Sequence, residues 1–146
     1  MKQYDVSVQI AARPERIWSI LLDGPAYASW DSGVERVEGQ IAVGQSIKVF
    51  SKIMPGRAFP VTVTEIIPFQ RMVWSGGMPL GLFKGVRTFT LAAADDDTTR
   101  FTMREEFSGP LLSLIWKSMP DLGPSFKQFA EGLKRRAEQP SVSLSI

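Results

Sequence analysis

Gly123-Pro124-Ser125-Phe126-Lys127-Gln128-Phe129-Ala130-Glu131-Gly132-Leu133-Lys134-Arg135-Arg136-Ala137-Glu138 is the stretch whose reading decides the fold. Phe126, Phe129, Ala130, Leu133 and Ala137 recur at the three- and four-residue spacing of one helical face. Lys127, Gln128, Glu131, Lys134, Arg135 and Glu138 occupy the opposite face, so the helix is amphipathic. Pro124 suits a first helical position, where its missing N–H leaves no hydrogen bond unmade. Lys134, Arg135 and Arg136 complement the negative pole of the helix dipole. Two phenylalanines one turn apart are a large apolar load. A wide, curved surface must receive them.

Upstream, the chain reads as that surface. Tyr4, Val6, Val8 and Ile10 alternate with polar residues and predict a half-buried strand. A helix follows from Pro14, burying Ile17, Trp18, Leu21 and Leu22 and ending at Gly24. Pro25 to Trp30 reads as a short second helix or turn. Strands are then predicted over Val34–Glu38, Ser46–Lys52, Ala58–Ile67, Arg71–Ser75, Lys84–Ala93 and Arg100–Phe107. Consecutive strands with short polar connections make an antiparallel meander, hence an α+β protein with one concave face. Leu111, Leu114, Ile115 and Met119 give a further helical spacing, which Pro120 and Gly123-Pro124 interrupt. No repeat, linker or composition shift marks a second domain, so residues 1–139 read as one domain and 140–146 as a disordered tail.

Composition excludes several functions. Apolar residues are 44% and charged ones 22% of the 146, a globular balance rather than a disordered one. The net charge of +2 is scattered, giving neither a basic stripe for nucleic acid nor a polybasic patch for anionic lipid. With no Cys, disulfides, thiolate catalysis and the usual structural zinc are excluded. With no His, so are Ser-His-Asp chemistry, His-ligated metals and the commonest neutral-pH base. No apolar run reaches membrane-spanning length, and Met1 to Asp5 lacks the shape of a signal peptide. The expectation is a cytoplasmic protein without cofactor, metal or integral membrane association.

Pro14-Glu15-Arg16-Ile17-Trp18, then Leu21-Leu22-Asp23, Tyr27 and Trp30, is similar to the first helical pair of the START-like (SRPBCC) superfamily. Val86-Arg87-Thr88-Phe89-Thr90-Leu91, Thr98-Thr99-Arg100-Phe101, Gly109-Pro110, and Leu133-Lys134 with Ala137-Glu138 follow the same pattern. The resemblance runs from Tyr4 to Glu138 and includes polyketide cyclase/dehydrase-like proteins and birch-pollen-type allergens. It implies a helix-grip fold: a seven-stranded curved antiparallel sheet around the C-terminal helix, with an apolar cavity between them. It implies no single activity, since members include binders, transporters and a few enzymes. Asp31-Ser32 departs from the Asn-Pro common at that position.

The sharpest candidate site comes from strand arithmetic. If the last hairpin turns about Asp96, Leu91 opposes Phe101, Phe89 opposes Met103, and Arg87 opposes Glu105. All six share one parity and four are apolar, so this face turns toward the helix. Arg87 and Glu105 then form an ion pair inside an apolar concavity. Functionally it is an anchor for a ligand carboxylate, carbonyl or hydroxyl; structurally it is a cross-strand pair reached by water. A one-residue shift would turn both outward. Trp74, Phe50, Phe83, Phe107, Met119, Phe126 and Phe129 are candidate walls of the same cavity, or else ordinary core.

The Gly/Pro-rich loops Met54-Pro55-Gly56 and Gly76-Gly77-Met78-Pro79-Leu80-Gly81-Leu82 have apolar tips at one end of the sheet. They read as a flexible gate, or as surface that packs on itself or on a partner chain. Their glycines lack the phosphate-loop spacing. Asp95-Asp96-Asp97 makes a turn rather than a calcium loop. Lys134-Arg135-Arg136 is a solvated helix end. Three functions compete: a binder or carrier of a small hydrophobic molecule, a cyclase/dehydratase-like enzyme using Glu105 beside Arg87, and an interaction module such as a homodimer formed through the apolar loops.

Overall fold

The computed structural model describes residues 2–95 and 97–140. Its strands are β1 (Lys2–Ile10), β2 (Val34–Glu38), β3 (Ser46–Ser51), β4 (Ala58–Ile67), β5 (Arg71–Gly77), β6 (Lys84–Ala93) and β7 (Thr99–Ser108). Its helices are α1 (Pro14–Leu22), α2 (Leu112–Trp116) and α3 (Gly123–Glu138), with 3-10 turns at Gly24–Ser29 and Pro79–Gly81. The strands form one seven-stranded antiparallel sheet in the order β1-β7-β6-β5-β4-β3-β2. The meander therefore closes with β1 beside β7. Register shifts between Val34 and Arg36 and between Val63 and Glu65 add local twist, which helps the sheet curve.

The apolar face of α3 is buried as its spacing predicts: Phe126, Phe129, Ala130, Leu133 and Ala137 are each at most 3% exposed. The helix packs chiefly on β1, whose Tyr4, Val6, Val8 and Ile10 face it, and also on β7 and α1. Trp18 of α1 meets Phe69 of the β4–β5 connection at 6.4 Å, covering the end of the sheet where β1 leaves. This is the helix-grip arrangement.

Some sequence expectations need correction. In α1, Ile20 is buried and Leu22 only half-buried, because Asp23 already leaves the helical path. Gly24 opens the 3-10 turn rather than ending α1. The stretch Leu111–Met119 forms only the five-residue α2, with Leu112 buried and Leu114 67% exposed. A helix that short cannot keep one face down over its whole spacing. Asp96, the expected centre of the last hairpin, and the tail 141–146 lie outside the described residues.

Candidate functional site

The last hairpin has the register the parity argument requires: Leu91 opposes Phe101, Phe89 opposes Met103, and Arg87 opposes Glu105. Adjacent ladders extend that last pair into a row across the inner face of the sheet. Val63, Trp74, Arg87, Glu105 and Tyr4 stand side by side on β4, β5, β6, β7 and β1. The neighbouring row, one step toward the gate loops, holds Val61, Gly76, Gly85, Phe107 and Lys2. Gly76 and Gly85 stand adjacent in that row, and the Val61 side chain, the Phe107 ring and the Glu105 carboxylate fill the space beside them.

Arg87 donates from Nε to Glu105 Oε1 at 2.7 Å, and its Nη2 lies 2.7 Å from the same oxygen. Both nitrogens thus converge on one oxygen, and Oε2 has no hydrogen-bond partner among the described residues. The guanidinium also sits 4.9 Å from the centre of the Phe126 ring, a cation–π contact that pins it against α3. The side chains are 24% and 15% exposed, so the pair is sheltered without being sealed from water. Trp74 Nε1, next in the row, is buried without a hydrogen-bond partner among the described residues.

Aromatic rings surround the pair on the gate side. Phe83 stacks on Phe107 at 5.9 Å, and Phe107 meets Tyr4 at 6.4 Å and Trp116 at 5.7 Å. Tyr4 in turn stacks on Trp116 and leans on Phe126, both at 5.6 Å. Sequence reasoning missed Tyr4 and Trp116. Tyr4 was recoverable: β1 alternation puts it on the inner face, though nothing local says that β1 pairs with β7. For Trp116 the sequence carries no signal, since α2 is placed by tertiary packing alone.

The other expected wall residues divide. Phe89, Met103 and Phe129 are at most 3% exposed and lie in continuous core. Phe129 packs against Trp30 at 5.1 Å, Tyr27 at 5.9 Å, Phe89 at 6.0 Å and Phe101 at 6.2 Å. Side chains thus fill the deep part of the concavity. Phe50 is misplaced by the sequence reading. It opposes Arg36, and lies under that residue's guanidinium at 3.9 Å, on the outer face of β3. Its strand neighbours Ile47 and Val49 have the inward parity. Met119 lies in the α2–α3 connection, half-buried.

Both proposed gate loops emerge at the end where β7 leaves the sheet. Met54 is half-buried and Pro55 exposed, while Met78 is 43% and Leu80 95% exposed. Leu80 holds a left-handed φ of 62°, unusual for a non-glycine residue. The second loop is tied down by Met78 N–H to the Phe83 carbonyl at 2.8 Å, and Leu111 N–H to the Leu82 carbonyl at 2.9 Å. Two surface grooves exist elsewhere, one along Ala11–Arg13, Arg16 and Ala137–Gln139, the other around Trp30, Asp31, Gly132 and Arg135. Neither contains a residue of the Arg87 row.

Tyr27 is no acid or base. Burial drives its phenol far above the ordinary tyrosine value, against a smaller opposing pull from the positive charge of Arg87. The hydroxyl stays protonated and donates to the Leu21 carbonyl. Among the described residues no cluster of His, Cys, Asp and Glu could hold a metal ion, and no helix is long and apolar enough to cross a membrane.

Comparison with known proteins settles the family. Residues 1–138 match the model of the polyketide cyclase / dehydrase and lipid transport family. The chain belongs to that family. No curated protein matches the sequence. A START superfamily protein from Mycobacterium smegmatis is similar in fold: 18% identity, TM-score 0.67, covering 93% of this chain and 97% of that one. The Aha1 dimer from Colwellia psychrerythraea gives 21% identity and TM-score 0.72 over 94% and 97% of the two chains. The Zhui aromatase/cyclase from Streptomyces sp. R1128 gives 14% and 0.69 over 94% and 93%. At these identities the likeness is one of fold.

Proposed function

We propose that this family member binds and carries a small hydrophobic molecule at the gate end of the space between sheet and α3, with Arg87 and Glu105 as its polar anchor. The observation that carries this reading is the half-sheltered ion pair on an inner face otherwise lined by apolar and aromatic side chains. Charges in such a place are retained at a desolvation cost, which a purely structural pair of apolar residues would avoid. Phe83, Phe107, Phe126 and Trp116 supply the apolar walls, and Trp74 Nε1–H a further unpartnered donor. The deep core is already filled by Phe129 and its neighbours, so the ligand occupies the outer half. It enters as the loops around Met54 and Leu80 and the α2 segment move aside.

Catalysis of the cyclase/dehydratase kind is a second reading, favoured by the one carboxylate oxygen of Glu105 that Arg87 leaves unpaired. Native mass spectrometry of the protein purified from its source cells tests the first reading. A co-purified small molecule in near-stoichiometric amount supports carriage. A bare chain, or a dimer without adduct, contradicts it.

A further inference from the structure

The two edges of the sheet are finished differently. At one, β2 is five residues long, carries Glu35, Arg36 and Glu38, and slips register against β3 between Val34 and Arg36. Short, charged, irregular edges resist further strand pairing. At the other, β1 runs nine residues in unbroken register with β7 and contains no proline. The ladder shows which of its backbone groups look outward. Leu91 N–H donates to the Gln70 carbonyl, so odd-numbered residues of β6 bond toward β5 and even-numbered ones toward β7. One strand further on, Phe101, Met103 and Glu105 bond toward β1, through Val8, Val6 and Tyr4. Gln3, Asp5, Ser7 and Gln9 therefore turn their N–H and C=O groups to the outer edge. The end of α3 takes one end of it: Lys134 Nζ donates to the Gln9 carbonyl, and Ala11 N–H donates to Glu138, both at 2.8 Å. The backbone groups of Asp5 and Ser7 on that edge have no partner among the described residues. On the inner face of the same strand Tyr4, Val6 and Val8 stay half-buried although α3 packs on them.

The chain supplies a segment that matches this edge. Beyond α3, whose Glu138 is held beside Ala11, it reads Ser141-Val142-Ser143-Leu144-Ser145-Ile146, a strict alternation without a charge. We propose that this tail doubles back as an eighth strand on β1, antiparallel to it, with Ser143 opposite Ser7 and Ser145 opposite Asp5. Six extended residues span about 20 Å, enough to run from the end of α3 past Asp5. In that register the N–H and C=O groups of the two serines meet the outward ones of Ser7 and Asp5. Val142, Leu144 and Ile146 fall beside Val8, Val6 and Tyr4 and complete the cover that α3 leaves partial. The serines join the polar outer face, and a one-residue slip would turn every apolar tail residue out to water. Lys134 and Glu138 keep the Gln9 and Ala11 groups, so the tail takes over where the helix stops. Ile146 then stands against Tyr4, whose ring touches Trp116 and Phe126, which makes the tail a side wall of the candidate site.

Amide hydrogen exchange in the full chain, read residue by residue by NMR, tests it. The Ser7 and Asp5 N–H groups should exchange about tenfold or more slowly than in a variant carrying Val142→Ser, Leu144→Ser and Ile146→Ser, checked first for cooperative thermal unfolding. Ser143→Pro removes the N–H that donates to the Ser7 carbonyl and should speed both amides in the same way. Leu144→Val keeps the alternation and should leave both slow. Should the triple variant not fold, Ser143→Pro still decides. Sedimentation of the same samples names the owner of the strand: a monomer whose protection is unchanged on dilution supports the chain's own tail. Protection that falls on dilution in step with a dimer would give the strand to a second copy and overturn the inference. So would Ser7 and Asp5 amides that exchange as fast in the wild type as in the variants, or that stay slow in all of them.

Discussion

Gly132, in the middle of α3, lies directly against the carbonyls of Trp30 and Asp31; a Cβ there would stand 2.8 Å from the Trp30 oxygen. Beside it, the Asp31 carboxylate accepts from Gln128 Nε2 and Arg135 Nη2, both at 2.8 Å. The helix is therefore clasped to the loop before β2 by a close backbone approach flanked by polar contacts. Gly132→Ala should destabilise the fold by about 3 kcal/mol, the upper range for forcing an extra methyl into a packed site, because backbone cannot move aside as a side chain can. Urea unfolding measures it. A loss below about 0.5 kcal/mol would mean that α3 is not held at this point.

Phe129→Ala should cost about 3–5 kcal/mol, the usual range for removing a ring from filled core. The ring is 3% exposed and touches the rings of four aromatic residues, Tyr27, Trp30, Phe89 and Phe101. Equilibrium denaturation of this variant decides where the proposed binding space ends. A much smaller loss would extend that space to the deep end of the sheet.

What the sequence disclosed follows from which interactions are local. Alternation and helical spacing are local, so Phe126, Phe129 and Leu133 declare their face and the hairpin from Arg87 to Glu105 declares its register. Phe50 escaped because an aromatic residue in a strand carries no mark of which face it joins; the inward parity of Ile47 and Val49 settles that. The closure of β1 on β7 joins residues about a hundred positions apart, which fixes Tyr4 opposite Glu105 and lies beyond any local pattern. In sequence Gly132 is only a glycine inside a helix, with no mark of what packs against it. Its reason is the close approach of the Asp31 and Trp30 carbonyls, far away in sequence, which leave no room for a Cβ.

Glu138 gives the fold an acid-sensitive contact. Its carboxylate accepts from Ala11 N–H at 2.8 Å and from Lys134 Nζ at 2.6 Å, tying the end of α3 to the junction after β1. The Ala11 hydrogen bond first, then that from Lys134, holds its pKa below the ordinary value of 4.5. Because the folded pKa is depressed, this stability is present above pH 4.5 and is lost as pH falls through the lower folded value. Glu138→Gln should be less stable than wild type at neutral pH, with the difference shrinking to nothing in acid. Unfolding free energies across a pH series read this directly, and a gap that persists in acid would assign the loss to packing.

If Arg87 and Glu105 anchor a ligand rather than the fold, as proposed, replacing them singly and together separates the two roles. Either single removal, Arg87→Leu or Glu105→Met, should destabilise by roughly 1–3 kcal/mol, since the partner charge is left half-sheltered and unpaired. The double variant should recover most of that loss, because the penalty belongs to the lone charge. The decisive measurement is how much co-purified small molecule the double variant carries by native mass spectrometry, made alongside its unfolding free energy. Wild-type-like stability with most of that carried molecule lost is expected if the pair anchors the ligand. Undiminished carriage by a stable double variant would contradict that role.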